Sequence, residues 1–218
     1  PPPPTPTQFR SSAASDVLRD SLNIYSPRNL SGNENFPVMV WIHGGGNTTG
    51  AGSGYDFSRL ASEQKVIVIT INYRLGPFGW FYHPSLIETT NSKEDKSGNY
   101  GLLDQILALK WVKKNIKEFG GNPNNVTIFG ESAGGHNVFS LISSNLASGL
   151  FHRAISQSGS TRTTSVEDAS HYIDDEINPG WPTSSKEIVN NLLIGYNGAK
   201  DVYEAKILQD SMNNSNLK

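Results

Sequence analysis

The chain of 218 residues contains no cysteine, which removes disulfides, thiolate catalysis and cysteine-ligated zinc together. The same absence leaves the redox compartment open, since a cysteine-free chain tolerates either state. An excess of one charge is also lacking. Eighteen Lys and Arg against 20 Asp and Glu leave a net charge of −2, which offers no electrostatic footprint for nucleic acid or an anionic membrane. No apolar run approaches the roughly 20 residues that span a bilayer. No group of His, Asp and Glu has metal-ligand spacing, so neither a metal nor a cofactor is expected. An initiator Met and a signal-peptide pattern are both missing, so Pro1 is not expected to be the gene's first codon. Residues 1–15 read as a Pro-rich irregular segment opening in extended polyproline, and residues 16–218 as one domain.

What is present is the patterning of an α/β protein. Three runs are almost wholly apolar or β-branched: residues 36–43, 65–73 and 125–129. Such runs suit strands of a mostly parallel sheet covered on both faces. Residues 153–158 read as a further strand, and none is evident after Ser158. Between the strands, Leu102, Leu103, Ile106, Leu109, Val112 and Ile116 recur at helical spacing, and Gly120-Gly121 with Pro123 ends that helix. A second helix covers about 133–143. Ser184 and Glu187 have capping-box spacing ahead of a third, marked by Ile188, Leu192 and Leu193.

Gly130-Glu131-Ser132-Ala133-Gly134 fits G-x-S-x-G, a pattern for which chance predicts roughly 0.2 matches in a chain of this composition. Its setting is more specific. It follows an apolar strand and precedes an apolar helix, the strand–turn–helix context of a nucleophile elbow. Glycines on both sides allow a sharp turn, and a serine there sits at a helix N-terminus that favours developing negative charge. His43-Gly44-Gly45-Gly46 follows the first strand. Glycine N–H groups can approach an oxyanion unobstructed, and no Lys-[Ser/Thr] follows to make a phosphate loop. Gly45 and Gly46, with the N–H of Ala133, are the expected oxyanion donors. Ser132 is expected at a strained, positive-φ turn, with those donors converging near its hydroxyl.

The stretch from residue 37 to about 160 resembles the type-B carboxylesterase/cholinesterase family. Val40-Trp41-Ile42-His43-Gly44-Gly45-Gly46, Asn72-Tyr73-Arg74-Leu75-Gly76-Pro77-Phe78-Gly79 and Gly98-Asn99-Tyr100-Gly101-Leu102-Leu103-Asp104-Gln105 match its pattern in order and spacing. So do Phe119-Gly120-Gly121-Asn122-Pro123, residues 126–135 and Phe151-His152-Arg153-Ala154-Ile155-Ser156-Gln157-Ser158-Gly159. The resemblance implies an α/β-hydrolase fold, incomplete here, and a serine carboxylic-ester hydrolase acting on a small-molecule ester. It implies Ser132 as nucleophile, Gly45, Gly46 and Ala133 as oxyanion donors, Glu131 beside the centre, and Ser158 supporting the catalytic histidine. Two departures stand out. Ser21 stands where the family usually has a cysteine, and Asn47 where many members have an aromatic residue.

A serine nucleophile needs a histidine base held by a carboxylate, and in this fold both follow it in sequence. His43 and His83 precede Ser132. His136 reads as a packing position on the nucleophile's own helix, and His152 as structural. His171, with Asp168 or Asp174, has the right order but no strand before it. The base and acid are therefore expected beyond Lys218, with this chain carrying the nucleophile half of the domain. The competing readings are a non-catalytic adhesion or binding relative, and an inactive fragment of an esterase. Arg74 reads as an ion-pair anchor rather than a catalytic group, and Trp80-Phe81-Tyr82 as core packing, with the lining of a substrate gorge as the alternative. Four sequons, at Asn29, Asn47, Asn125 and Asn213, lack a secretory signal to support glycosylation.

Overall fold

The structure, a computed structural model, describes residues 7–10, 21–27 and 34–214. The polyproline run and the sequon at Asn29 lie outside these residues, and the sequon at Asn213 lies partly outside. The chain divides into two units, residues 1–76 with 101–162 and residues 77–100 with 163–218.

The first unit holds the sheet. Its strands are β1 (Thr7–Arg10), β2 (Ser21–Tyr25), β3 (Phe36–Ile42), β4 (Ile67–Ile71), β5 (Gly121–Glu131) and β6 (Arg153–Gln157), in the order β1-β2-β4-β3-β5-β6. The β4–β3, β3–β5 and β5–β6 pairs are parallel, and β2 pairs antiparallel with both β1 and β4. β1 corrects the reading of residues 1–15 as irregular. Four residues carry too short a pattern to recognise, and pairing with β2 supplies what local propensity does not. β5 starts four residues earlier than its apolar run, taking in Pro123. That extension falls where the β3–β5 register shifts between Phe36 and Val38, the kind of irregularity a strand proline needs.

The α-helices among the described residues are α1 (Ser58–Gln64), α2 (Pro84–Ile87), α3 (Tyr100–Asn115), α4 (Ala133–Ser143), α5 (Val166–Ser170), α6 (Ser185–Gly195) and α7 (Val202–Asn214). α3 tightens into a 3₁₀ turn at Ile116–Phe119 and stops at Gly120 in the left-handed conformation. No helix among the described residues is long and apolar enough to cross a membrane.

Alternation along the strands gives the sheet two different faces. On one, Trp41, Val68, Phe129 and Tyr25 pack with Ala61 and Leu60 of α1 and with Tyr55 and Phe57. Phe57 meets Trp41 and Phe129 edge-on, with ring centroids 5.6 Å apart in each case. On the other, Val38, Val40, Ile42, Ile67, Ile69, Ile71, Val126 and Ile128 are almost completely buried. The Ser21 hydroxyl, at the position of the missing cysteine, accepts a hydrogen bond from Asn72 Nδ2 at 2.7 Å. It ties β2 to the end of β4 without a covalent link.

In the second unit, α6 packs on α7. A buried polar chain links them: Gln209 Nε2 donates to Asn190 Oδ1 at 2.6 Å, and Gln209 Oε1 faces His83 Nε2 at 3.2 Å. Only half of the expected capping box forms. Ser184 Oγ accepts from the Glu187 N–H, but the Glu187 carboxylate accepts from Ile173 N–H and Asn190 Nδ2 instead of reaching back. The tertiary Ile173 N–H and the Asn190 amide one turn along the helix outcompete the Ser184 N–H. Trp80, Phe81 and Tyr82 are half-buried, and Phe81 stacks on His83.

Arg74 is the ion-pair anchor its motif suggested. Its backbone N–H, Nε and Nη2 donate to the Asp104 carboxylate at 2.9, 2.8 and 2.7 Å, joining the segment after β4 to α3. The Asp104 side chain is only 3% exposed and that of Arg74 27%. Removing the Asp104 carboxylate takes three hydrogen bonds from Arg74, whose side chain keeps some solvent. Asp104→Ala is expected to cost about 2–3 kcal/mol in urea denaturation, below the range for a fully buried pair.

Candidate active site

Ser132 is the one residue between the end of β5 and the start of α4, and its backbone lies at φ 55, ψ −120. For a residue with a side chain this conformation costs about 1–3 kcal/mol and holds only if the surroundings enforce it. They do so from both sides. The Ser132 N–H donates to the Gln157 carbonyl at 2.9 Å, and the Ser132 carbonyl accepts from the His136 N–H at 3.0 Å. The second motif glycine makes the turn possible. A Cβ on Gly134 would stand 2.0 Å from the Ile42 carbonyl oxygen, so α4 begins directly across the end of β3.

β3 and β5 are parallel neighbours with Ile42 opposite Gly130. The glycine loop after β3 and the serine after β5 therefore emerge at the same sheet edge. Gly44 is buried against the turn: a Cβ there would be 2.7 Å from the Glu131 carbonyl oxygen and 3.2 Å from Ser132 Cβ. Gly45 and Gly46 are exposed, with φ of 106 and 64. The Gly45 carbonyl accepts from the N–H groups of Thr48 and Thr49, both at 3.0 Å, and from both hydroxyls at 3.2 Å. Because a trans peptide points its C=O and N–H in opposite directions, the Gly46 N–H is turned out of that hairpin of bonds. Among the described residues, no backbone carbonyl accepts from the N–H of Gly45, Gly46 or Ala133. These are the three donors named from the sequence.

Glu131 is exposed, with Oε2 beside Gly44. Ser158 follows Gln157 at φ 53, on the segment that receives the Ser132 N–H, and its hydroxyl has no histidine partner among the described residues. His43 is buried and stacked on Tyr73 at 4.5 Å. Its Nδ1 donates to the Gly44 carbonyl at 2.8 Å, and burial lowers its pKa, so the ring is neutral at neutral pH.

The other histidines are committed elsewhere. His136 Nδ1 lies 2.8 Å from the Ser160 backbone N and 3.0 Å from its carbonyl, which ties α4 to the segment after β6. His152 Nδ1 accepts from the Val126 N–H at 3.1 Å, a structural bond at the start of the β5–β6 ladder. In the second unit, His171 Nδ1 donates to the Asn178 carbonyl at 2.8 Å, with Asp175 at 4.0 Å. No described histidine has its Nδ1 hydrogen-bonded to a carboxylate, as a triad base requires.

Sequence reasoning missed Tyr73 and Asn137, which hold the glycine loop from outside it. The Tyr73 hydroxyl donates to the His43 carbonyl at 2.5 Å, and Asn137 on α4 pairs with Asn47. Asn47 had drawn notice as a departure from a pattern and as a sequon. Its partner lies 90 residues away, and no local signal points to it.

A mostly parallel sheet whose strand–serine–helix turn faces a glycine loop defines an α/β-hydrolase. The pattern of the carboxylesterase family matches residues 5–174, and the chain belongs to that family. It is 51% identical over 145 residues to carboxylesterase 1D of Rattus norvegicus, covering 66% of this chain and 24% of that protein. With the para-nitrobenzyl esterase of Bacillus subtilis (strain 168) it shares 47% identity over 173 residues, 76% of this chain and 34% of that one. A solved PNB esterase superposes with a TM-score of 0.65 at 40% identity, covering 88% of this chain and 36% of that chain. The chain thus spans about a quarter to a third of the length of these curated relatives.

Two outcomes follow from the turn itself. Ser132→Gly removes the strain of a side chain at φ 55, and urea denaturation is expected to show a gain of about 1 kcal/mol, whereas Ser132→Ala gains nothing of that kind. Gly44→Ala drives a methyl into the Glu131 carbonyl. Urea denaturation of that variant is expected to show a loss of about 1–3 kcal/mol, because the neighbouring backbone has to shift to admit the methyl.

Proposed function

We propose that this chain carries the nucleophile and oxyanion hole of a serine carboxylic-ester hydrolase. Ser132 Oγ attacks the ester carbonyl carbon while a general base takes its proton. The N–H groups of Gly45, Gly46 and Ala133 stabilise the oxyanion of the tetrahedral intermediate. The alcohol leaves with a proton returned by the base, and water then hydrolyses the acyl-enzyme by the same steps. Glu131 lies beside this centre and Ser158 supports the histidine. The base and its carboxylate come from polypeptide outside these 218 residues, a reading supported by the commitments of all five histidines. The substrate is a small-molecule ester, as the names of the related esterases suggest for those proteins.

The observation that carries this reading is the positive φ of Ser132 at the end of β5, with Gly44 against its Cβ. A turn that only reverses the chain needs neither strain on a serine nor unpaired N–H groups opposite it. Each preorganised donor in such a hole contributes about 3–4 kcal/mol to the transition state.

Hydrolysis of a short-chain p-nitrophenyl ester tests it. The intact enzyme should turn over and lose about 10⁶ in kcat on Ser132→Ala. The isolated chain should show at most the roughly 10³–10⁴-fold residual catalysis over water that a hole without a triad provides. Robust Ser132-dependent turnover by the isolated chain would overturn the placement of the base outside it.

A further inference from the structure

The glycine loop and the nucleophile helix are joined by an amide pair that neither the sheet nor the helix requires. Asn137 lies on α4 one turn after Ala133 and is only 4% exposed. Its Nδ2 donates to Asn47 Oδ1 at 2.9 Å, and Asn47 Nδ2 returns a longer bond to Asn137 Oδ1 at 3.5 Å. Asn47 itself is half-buried at φ 57, a conformation asparagine tolerates better than most residues. Its backbone carbonyl accepts from the Gly76 N–H at 2.6 Å, so the end of the loop is held at the side chain and at the main chain.

Tyr73 completes the arrangement. Burial raises the pKa of its phenol well above the ordinary range, so the hydroxyl keeps its proton and donates it to the His43 carbonyl. The segment that holds Gly44, Gly45 and Gly46 is thus fixed at both ends, by Tyr73 at His43 and by Asn137 at Asn47.

Resting on the ester-hydrolase reading above, we infer that Asn137, acting through Asn47, is a positioning residue of the oxyanion hole. The hole has two arms, Gly45 and Gly46 on the loop and Ala133 on the helix. Donors stabilise an oxyanion only at about 2.7–3.1 Å, so the separation of the arms decides how well both can serve one oxygen. The loop arm consists of glycines without side chains to pack, and three consecutive residues at positive φ. A lateral tie to the helix that carries the other arm sets that separation directly.

The test uses Asn47→Ala, Asn137→Ala and the double variant of the intact enzyme, with p-nitrophenyl ester kinetics and the Kd of a trifluoromethyl ketone. Each single change is expected to lower kcat roughly 10–100-fold with KM moving by no more than about 3-fold, and to weaken the ketone in parallel with kcat. The double variant should be no worse than the poorer single, because both remove one interaction. Unchanged kcat, a loss confined to KM, or multiplying losses would overturn the inference. Thermal melting identifies any variant that does not fold. If buried Asn137→Ala is one, Asn47→Ala, at the half-exposed partner, decides alone. Absence of Ser132-dependent turnover in the unsubstituted enzyme would overturn the hydrolase reading instead. Amide hydrogen exchange at Gly45 and Gly46 then still reports on the tie: faster exchange in either variant supports it, and unchanged exchange refutes it.

Discussion

Helix α4 starts where the end of β3 leaves no room for a side chain. A Cβ on Gly134 would stand 2.0 Å from the Ile42 carbonyl oxygen, and one on Gly44 would stand 2.7 Å from that of Glu131. These two contacts press the end of one strand, the start of one helix and one loop into a single knot of backbone. The register of β3 on β5 brings the three pieces level, and the register of β5 on β6 delivers the Gln157 carbonyl to the Ser132 N–H. Moving any one of these elements by a residue would leave Ser132 with no reason to hold a positive φ.

The magnitudes favour the knot. Fully burying a Val, Leu, Ile or Phe side chain is worth roughly 1.5–3 kcal/mol. Val38, Val40, Ile42, Ile67, Ile69, Ile71, Val126 and Ile128 have almost no exposed surface, and the aromatic cluster around Trp41 covers the opposite face. Strain of about 1–3 kcal/mol at Ser132 is therefore small beside the packing that fixes the flanking strands. The fold can hold a serine where a relaxed chain would place a glycine, and that is what leaves its hydroxyl at the sheet edge.

The polar groups around this edge divide into those that hold backbone and those left open. His43, His136 and His152 each use Nδ1 on the main chain, Tyr73 holds the His43 carbonyl, and Asn137 and Asn47 hold each other. The N–H groups of Gly45, Gly46 and Ala133 have no backbone acceptor among the described residues. On the hydrolase reading proposed above, a site that invests its side chains in holding main chain and leaves main-chain donors open is organised to bind developing negative charge.

Much of this was legible in the linear sequence because its causes are local. Apolar runs of strand length, the 3.6-residue spacing of α3, the glycines flanking Ser132 and the glycines after His43 are consequences of periodicity and of which residues can turn sharply. They placed β3 to β6, α3, α4, the serine and the loop to within a few residues. β1 was not legible, since four residues become a strand only by pairing with β2. The division of the chain into two units was not legible either, nor was the transfer of Glu187 from its capping box to Ile173 and Asn190. The tie from Asn137 to Asn47 was the least accessible. An amide pair is chosen by which groups arrive within about 3 Å after the sheet has closed, and nothing in the sequence between them encodes that distance. The sequence alone determined the residue types that can turn, strand or attack; the tertiary structure decided which of them meet, because only burial in a common fold makes distant polar groups choose one another over water.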